Sequence, residues 1–406
     1  MAPNGGGKEK ESGMILNPRD DPREDSDPKM QSRKLDFIQT LRGIAALAVT
    51  FVHIRQHTEH PIPFVSWLIR PAASGVDLFF IISGFIMVYT TSRNDGSLAY
   101  CADFMKKRFT RVWPTYIVLT VFYVIAMLIS GSIIHRQDIS PTLANWIKSI
   151  FFVPLELDGN GPFWGAALLH TGWTLNYEIY FYIAFAVCLM FGRASIIAFS
   201  AWLAITLIAI PYTYFGIFSF DASPPYKWMD FQYLNLATSP IIWEFLVGAL
   251  SGYLYFSPIR IKSETTCWIL LSLAISLMIW VLWGLPTRGF GLAGFGVGYA
   301  IFFPVIVLVS KTLPLKQPRV FVWLGNISFS LYLVHPIIVH PAANLLYMWE
   351  WARPGLGDFP FGLVLTVVSI AVSAVSYELL EKRLSSWILE KLKRKRVTSS
   401  PTRSSA

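Results

Sequence analysis

The chain alternates between long apolar segments and shorter polar connections. About ten of the apolar segments approach the ~20 residues that a helix needs to cross a bilayer. This pattern predicts an all-α membrane protein with about ten transmembrane helices. The predicted spans are 37–55, 75–91, 113–130, 172–191, 195–215, 240–256, 267–284, 290–310, 321–340 and 361–380. A further segment, 141–155, is amphipathic and contains Trp146, which predicts an interfacial or re-entrant helix on the outer side.

The polar connections differ in their density of Lys and Arg. One alternating set is short and cationic, whereas the other set, 56–74, 131–171, 216–239 and 341–360, holds fewer cations per residue. Because Lys and Arg concentrate on the cytoplasmic side of membrane proteins, the bias predicts that both termini are cytoplasmic. The cations of the first set are Arg93, Lys106, Lys107, Arg108, Arg111, Arg193, Arg260, Lys262, Lys311, Lys316 and Arg319.

Polar composition marks the two ends of the chain. Residues 1–34 are rich in Gly, Pro, Asp, Glu and Lys and predict a disordered cytoplasmic tail, with Met30 as an alternative start to Met1. Residues 386–406 contain the run KLKRKR and predict a basic, disordered C-terminal tail. The transmembrane domain is therefore predicted over residues 35–385.

Overall composition supports a membrane protein and argues against nucleic-acid binding. Of the 406 residues, 54% are hydrophobic and 15% are charged, whereas soluble domains carry about 25% charge. The net charge is +9, but the basic residues lie in short connections between apolar segments, which is how topology is encoded. The three cysteines are scattered, and no metal or disulfide motif is present.

Several ionisable residues nevertheless lie inside or beside the apolar segments, where charge is expensive and usually functional. Arg42 and His53 share the first span and are separated by about 16 Å along a helix. With the predicted topology, one layer of polar residues lies in the outer half of the membrane and another lies near the cytoplasm. The outer layer contains His53, Asp77, Glu178 and His335, and the inner layer contains Arg42, Arg108 and Arg111.

These two layers predict transfer chemistry across the membrane. Guanidinium groups match the geometry of phosphate, so the inner layer suits a phosphorylated donor. A histidine beside a carboxylate suits general-base catalysis on a hydroxyl group, because the carboxylate fixes the tautomer and stabilises the imidazolium. Lone charges in hydrocarbon should pair, so we expect Glu178 or Asp77 to accompany His53.

The chain resembles the acyltransferase-3 family of integral membrane O-acyltransferases, which includes O-acetylases of bacterial exopolysaccharide and O-antigen. The first matching motif is the R-x10-H arrangement of Arg42 and His53. The others are GVDLFFIISGF at 75–85, FMKKRFTRVWPTY at 104–116, WTLNYEIYFY at 173–182 and LGNISFSLYLVHP at 324–336. The motifs extend over roughly residues 35–385, which identifies this region as the acyltransferase domain.

The resemblance implies an acyl-CoA donor, usually acetyl-CoA, that binds from the cytoplasm, with no permanently bound cofactor. It implies an acceptor hydroxyl on an extracytoplasmic or lipid-linked glycan, a position in the bacterial inner membrane, and polysaccharide-assembly proteins as further partners. His53 is expected to act as the base or to take the acetyl group itself, with Glu178 or Asp77 as its companion. Arg42, Arg108 and Arg111 are expected to hold the donor phosphates. The expected substrate-binding residues are His335, Trp173 and Tyr177.

Structural explanations compete with these roles at individual positions. Arg42 would also suit an interfacial anchor, and Arg108 and Arg111 would also suit topology signals. Asp77 would also suit a helix cap, and Glu178 a structural salt bridge. His335 would also hydrogen-bond a carbonyl group near Pro336.

Other functions are also open from the sequence. A transporter or flippase of a lipid-linked saccharide would use the same charges as a relay. The helical spacing of His53, His57 and His60 would suit a metal site, although Pro61 and the loop composition argue against one. Gly289, Gly291 and Gly294 spell G-x-G-x-x-G, but no strand precedes them, which favours helix packing over dinucleotide binding.

Overall fold

The structure is a computed structural model that describes residues 35–55, 63–131, 141–155, 160–229, 231–285, 289–348 and 358–398. All regular elements in these ranges are helical. In chain order they are α1 (Asp36–Arg55), α2 (Pro63–Leu68), α3 (Ala72–Thr90), α4 (Leu98–Ile129), α5 (Leu143–Ile150), α6 (Gly172–Leu189), α7 (Gly192–Phe215), α8 (Gln232–Phe256), α9 (Glu264–Gly284), α10 (Gly296–Val309), α11 (Arg319–Asn326), α12 (Ser328–Met348) and α13 (Pro360–Leu392).

The predicted all-helical membrane architecture is confirmed. Within the described ranges, seven helices are long and apolar enough to cross a membrane, and the α11–α12 pair makes eight if it is one bent span. Helix α10 is apolar but has only 14 residues. Helix α6 carries Asn176 and Glu178 in its first half, which lowers its hydropathy. The count of about ten spans and the sides of the termini stay predictions.

Helix α4 begins earlier than the sequence pattern predicted. It has 32 residues and is therefore about 48 Å long, with Ser97 capping its first turn by accepting a hydrogen bond from the Tyr100 backbone N–H at 3.1 Å. The predicted span began at residue 113, which placed Arg108 and Arg111 in a connection. In the structure both arginines lie within the helix, so their side chains project from a rigid element.

Two further boundaries differ from the predictions near the C-terminus. The predicted span 321–340 is broken between α11 and α12, where the axis bends by 70°. The last helix continues beyond residue 380, and Ser385–Thr398 is helical, whereas a disordered tail was expected from residue 386. The amphipathic segment 141–155 forms a helix at Leu143–Ile150.

Two close helix contacts fix the frame around the interior. A Cβ atom at Gly248 of α8 would overlap the carbonyl oxygen of Ile81 in α3, so these helices approach closely only because this position is glycine. A Cβ atom at Gly325 of α11 would likewise overlap the Gln39 carbonyl oxygen in α1. The second contact holds the first helix, and with it Arg42, against the α11–α12 bend.

One cation that the topology prediction used caps the end of a helix. The Lys311 ammonium donates to the carbonyl oxygens of Leu254, Ser257 and Ile259 at 3.1, 2.6 and 2.7 Å. Burial lowers the pKa of Lys311, and the nearby charge of Arg260 lowers this pKa further. A lysine at a helix C-terminus stabilises the last carbonyl groups.

Candidate functional site

Five helices, α1, α3, α4, α6 and α12, enclose a cavity of about 90 Å³ that we call the arginine chamber. Its polar walls contain three arginines and one glutamate, and apolar side chains of α3, α4, α6 and α12 form much of the rest. The polar lining residues are Arg42, Ser83, Arg108, Arg111, Thr174, Glu178, Tyr182 and Tyr332. All three predicted donor-binding arginines therefore face one interior space, although they come from two different helices.

Hydrogen bonds and aromatic rings hold two of the guanidinium groups. Arg42 donates to Gln39 Oε1 at 3.2 Å, one turn earlier in α1. Arg108 donates to Thr90 Oγ1 at 2.7 Å and to the Ile86 carbonyl at 3.4 Å, both on α3. Its guanidinium carbon also lies 5.5 and 5.4 Å from the ring centres of Phe104 and Tyr182, within cation–π range.

Arg111 differs from the other two arginines. Its side chain is half-buried, and within the described ranges it makes no hydrogen bond or ion pair. It lines the arginine chamber and also a second cavity. A half-buried guanidinium whose N–H groups make no hydrogen bond in the described ranges is suited to binding an anion from outside the chain.

The second cavity, which we call the vestibule, has a volume of about 230 Å³. It shares Ile86, Arg108 and Arg111 with the arginine chamber. At its other side lie Lys107 and Asp103, which pair at 2.7 Å and are 60% and 45% exposed. The two cavities are therefore adjacent and share two arginines, and the vestibule reaches side chains that are exposed at the surface.

Glu178 lies in the arginine chamber. One of its carboxylate oxygens accepts hydrogen bonds from Ser83 Oγ at 3.2 Å and from the Tyr182 hydroxyl. Its charge interacts with those of Arg42 and Arg108. We expected Glu178 beside His53 in an outer layer, but its position shows that it offsets the arginine charges.

The sequence analysis missed a second carboxylate near the arginines. Glu381 on α13 accepts hydrogen bonds from the Ser330 backbone N–H at 2.9 Å and from Ser330 Oγ at 2.5 Å. Its charge interacts with those of Arg111 and Arg42. The predicted last span ended at residue 380, so Glu381 was expected outside the helix bundle.

His53 lies inside the bundle and is not directed at lipid, since only 8% of its surface is exposed. Its ring neighbours are three other imidazoles. The ring centres of His335, His170 and His340 lie 5.0, 5.3 and 5.6 Å from that of His53, and those of His170 and His340 are 5.7 Å apart. We call these four residues the histidine cluster.

The sequence analysis selected only two members of the histidine cluster. His170 lies three residues before the start of the WTLNYEIYFY motif, and His340 follows His335 by five residues in α12, so both histidines could have been selected from their sequence positions. No group of three or more His, Cys, Asp or Glu residues in the described part of the chain has an arrangement that could hold a metal ion. His57 and His60, of the alternative metal reading, lie outside the described residues.

Tyr332 separates the histidine cluster from the arginine chamber. Its ring lines the chamber, and its ring centre lies 5.7 Å from that of Phe79 and 6.1 Å from that of His335. A hydrogen bond of 2.8 Å joins its hydroxyl to Thr174 Oγ1. One side chain therefore stands between the space with the arginines and the group of imidazoles.

Asp77 does not contact His53. Its Oδ1 accepts a hydrogen bond from the Gly291 backbone N–H at 2.7 Å, and its carboxyl group also contacts that of Glu244. Both side chains are fully buried between α3, α8 and the turn before α10. Gly291 has a φ of +87°, a conformation that favours glycine. The position of Asp77 differs from the expected catalytic one and indicates a packing role.

Trp173 and Tyr177, the other predicted substrate-binding residues, pack in the aromatic core. Trp173 contacts the rings of Phe163 and Phe290 at 5.0 and 6.2 Å, and the Tyr177 hydroxyl donates to the Pro162 carbonyl at 2.7 Å. The residues of α6 that line the chamber are Thr174, Leu175, Glu178 and Tyr182. This is the four-residue spacing of one helix face. Trp173 and Tyr177 do not line the chamber, and their role in substrate binding stays a prediction.

The chain resembles proteins of one family over most of its length. Residues 35–378 match the family described as "Acyltransferase domain". The Exopolysaccharide production protein ExoZ of Rhizobium meliloti (strain 1021) is 28% identical over 318 residues, which cover 77% of this chain and 89% of that protein. Nodulation protein 10 of Rhizobium leguminosarum bv. viciae is 23% identical over 366 residues, which cover 84% and 91% of the two chains. No solved structure matches the chain significantly.

Proposed function

Because this chain belongs to the acyltransferase-3 family and is a membrane acyltransferase, we propose that it transfers an acetyl or other short acyl group from acyl-CoA to a hydroxyl of a glycan. The arginine chamber and vestibule bind the donor, and the histidine cluster holds the reacting hydroxyl. The observation that supports this proposal most strongly is the convergence of Arg42, Arg108 and Arg111 on one interior path, one side chain away from His53 and its neighbours.

The donor assignment follows from charge. Acyl-CoA carries a pyrophosphate and a 3′-phosphate, and arginine binds phosphate oxygens through paired N–H groups. Arg111 lines both cavities and makes no hydrogen bond or ion pair within the described ranges, so it is the first candidate for a phosphate contact. Lys107 adds a cation at the exposed side of the vestibule. The narrow pantetheine arm would continue into the arginine chamber.

The transfer step uses the histidine cluster. The acceptor oxygen attacks the thioester carbonyl, the C–O bond forms, and the C–S bond breaks. His53 takes the hydroxyl proton, which then returns to the CoA thiolate, so the products are an ester and free CoA. Direct transfer is the simplest sequence with these residues, and an acyl group carried by His53 is the alternative route. The thioester must pass Tyr332 to reach His53.

A topology with both termini in the cytoplasm gives this path a direction. In the proposed topology, the seven long helices, the bent α11–α12 pair, α6 and α10 would each cross the membrane once, which makes ten crossings. The vestibule then opens towards cytoplasmic acyl-CoA, and the histidine cluster lies deeper towards the outer side. This arrangement supports transfer to an extracytoplasmic or lipid-linked acceptor in the bacterial inner membrane.

The names of the relatives support a saccharide acceptor. One relative is an exopolysaccharide production protein and the other is a nodulation protein. We propose an envelope polysaccharide, or its lipid-linked precursor, as the acceptor, with polysaccharide-assembly proteins as partners in the membrane.

The test uses the full-length protein purified into lipid nanodiscs with acetyl-CoA and a lipid-linked oligosaccharide. Free thiol release measures CoA formation, and mass spectrometry of the oligosaccharide measures acetylation. We expect CoA release and acetylated product in equal amounts. Translocation of the saccharide without CoA release would overturn this proposal and favour the transporter alternative.

A further inference from the structure

The geometry points to a specific role for one ring nitrogen of the histidine cluster. We infer that Nε2 of His335 accepts a hydrogen bond from the acceptor hydroxyl and so positions that hydroxyl beside His53. This inference rests on the proposed function. It specifies which nitrogen of His335 contacts the acceptor, the tautomer of the His335 ring and the kind of group that this nitrogen binds.

The tautomer of His335 follows from a backbone contact. Nδ1 lies 2.9 Å from the carbonyl oxygen of Leu331, one turn earlier in α12. A carbonyl oxygen can only accept, so Nδ1 must carry the hydrogen. In a neutral imidazole the other nitrogen then has a lone pair and no hydrogen. Nε2 of His335 is therefore a hydrogen-bond acceptor.

This acceptor has no partner among the described residues. His335 is fully buried, with 0% of its surface exposed, and Nε2 makes no hydrogen bond there. A buried polar atom without a partner is costly, and proteins rarely keep one unless a ligand or water completes it. The missing partner must be a hydrogen-bond donor, because Nε2 can only accept.

The surroundings of His335 favour a neutral donor group. Its ring neighbours are His53 at 5.0 Å and Tyr332 at 6.1 Å, and His170 lies close enough for their charges to interact. No set of metal-binding side chains is arranged here within the described ranges, so a metal ion does not explain the open position. A hydroxyl fits, because it donates one hydrogen to Nε2 and leaves its oxygen free to attack.

The position relative to the donor supports the same assignment. Tyr332 contacts His335 on one side and lines the arginine chamber on the other. A hydroxyl bound to Nε2 would thus lie beside the ring that the thioester has to pass. His53 is near enough to share the same hydroxyl, so His335 would orient the group and His53 would remove its proton.

The test compares His335→Asn with His335→Ala in lipid nanodiscs. The Asn side-chain amide keeps an N–H near the Nδ1 position and retains the bond to Leu331, but it has nothing at the Nε2 position. If Nε2 binds the acceptor, both variants should raise the KM for the acceptor, or lower kcat/KM for it, by about 10-fold or more. The KM for acetyl-CoA should stay within about 2-fold of wild type in both.

Chemical rescue supplies a second measurement. Added imidazole should restore part of the acceptor kcat/KM of His335→Ala, because it fills the vacated volume and returns the lone pair. Wild-type kcat/KM for the acceptor in His335→Asn would overturn the inference and indicate that only the Leu331 bond matters or that Nε2 meets water alone. If the wild-type protein itself releases no CoA, the proposed acyltransferase function is wrong. If the wild-type protein is active and His335→Asn has wild-type kcat/KM, only the inference about His335 is wrong.

Discussion

Arg42 is a charged residue that the interior of this protein stabilises with several partners. Its side chain is buried in α1 and donates to Gln39, and its charge interacts favourably with Glu178 and Glu381 but unfavourably with Arg111. Three guanidinium groups and two carboxylates therefore share one region, with an excess of positive charge. An anionic donor would neutralise that excess, and this is why we assign donor binding to the chamber.

Replacement of Arg42 by alanine tests this assignment at the residue scale. Loss of a charge-assisted contact to phosphate should raise the KM for acetyl-CoA by about 10- to 100-fold, equivalent to about 1.5–3 kcal/mol. Arg93→Ala is the matched control, because Arg93 is exposed in the connection between α3 and α4 and lines neither cavity. Steady-state kinetics of CoA release measures both. Equal KM values for acetyl-CoA in the two variants would contradict the assignment of Arg42 to the donor site.

Residue types and approximate positions were predictable, but the partners of each charge were not. The sequence analysis selected the three arginines that meet in the chamber, because a cation in an apolar segment is conspicuous. It paired Glu178 with His53 because both were placed in the outer half of the bilayer. That depth depended on span boundaries, and an error of one helical turn moves a side chain by about 5.4 Å. The early start of α4 brings Arg108 to Glu178 instead.

At the scale of whole helices, α3 packs closely against α8 and also lines the arginine chamber. Gly248 allows the two backbones to touch, and the carboxyl groups of Asp77 and Glu244 meet at the same interface. Helix α3 also supplies Ser83 and Phe79 to the arginine chamber.

A methyl group at Gly248 should therefore separate these helices. Gly248→Ala should destabilise the protein by about 1–3 kcal/mol, because its Cβ atom would overlap backbone that cannot move independently of α3. Gly298→Ala is the control, since its Cβ atom would lie 3.2 Å from a Val281 methyl group, which has room to adjust. Thermal unfolding in detergent measures the difference. A lower midpoint for Gly298→Ala than for Gly248→Ala would contradict this account of the packing.

Helix existence was predictable from apolar length, but breaks and extensions were not. The periodicity of residues 321–340 gives no sign of the 70° bend between α11 and α12. Gly325, next to that bend, lies in close contact with α1, and such a tertiary contact is not visible in the sequence pattern. Similarly, the extension of α13 past residue 380 runs through polar sequence that a hydropathy pattern excludes, and it brings Glu381 to Ser330.

At the scale of the whole molecule, two polar regions lie on opposite sides of Tyr332. The vestibule beside the arginine chamber reaches the surface, whereas the histidine cluster lies between α1, α12 and the segment before α6. The sequence analysis expected this division into a cationic layer and an imidazole layer. It did not identify the residue between them, because Tyr332, although it lies in the LGNISFSLYLVHP motif, carries no charge that would distinguish it among 17 tyrosines.

Removal of the Tyr332 side chain should weaken the separation of the two regions. In Tyr332→Ala, water should reach the bound thioester, so that CoA release without acceptor rises several-fold relative to CoA release with acceptor. Tyr332→Phe keeps the ring and loses only the bond to Thr174, so it should behave more like wild type. Thiol release assayed with and without acceptor measures this ratio. An unchanged ratio in Tyr332→Ala would show that the ring is not a partition.

The most direct test of the account is the transfer rate of His53→Ala, measured as acetylated oligosaccharide formed at saturating acetyl-CoA in nanodiscs. Acetyl-CoA binding to the same preparation reports whether the donor site is intact. The account predicts unchanged donor binding and a rate lower by about 100-fold or more, the usual contribution of a general base or nucleophile. Transfer at the wild-type rate with intact donor binding would contradict the assignment of the histidine cluster as the site of chemistry.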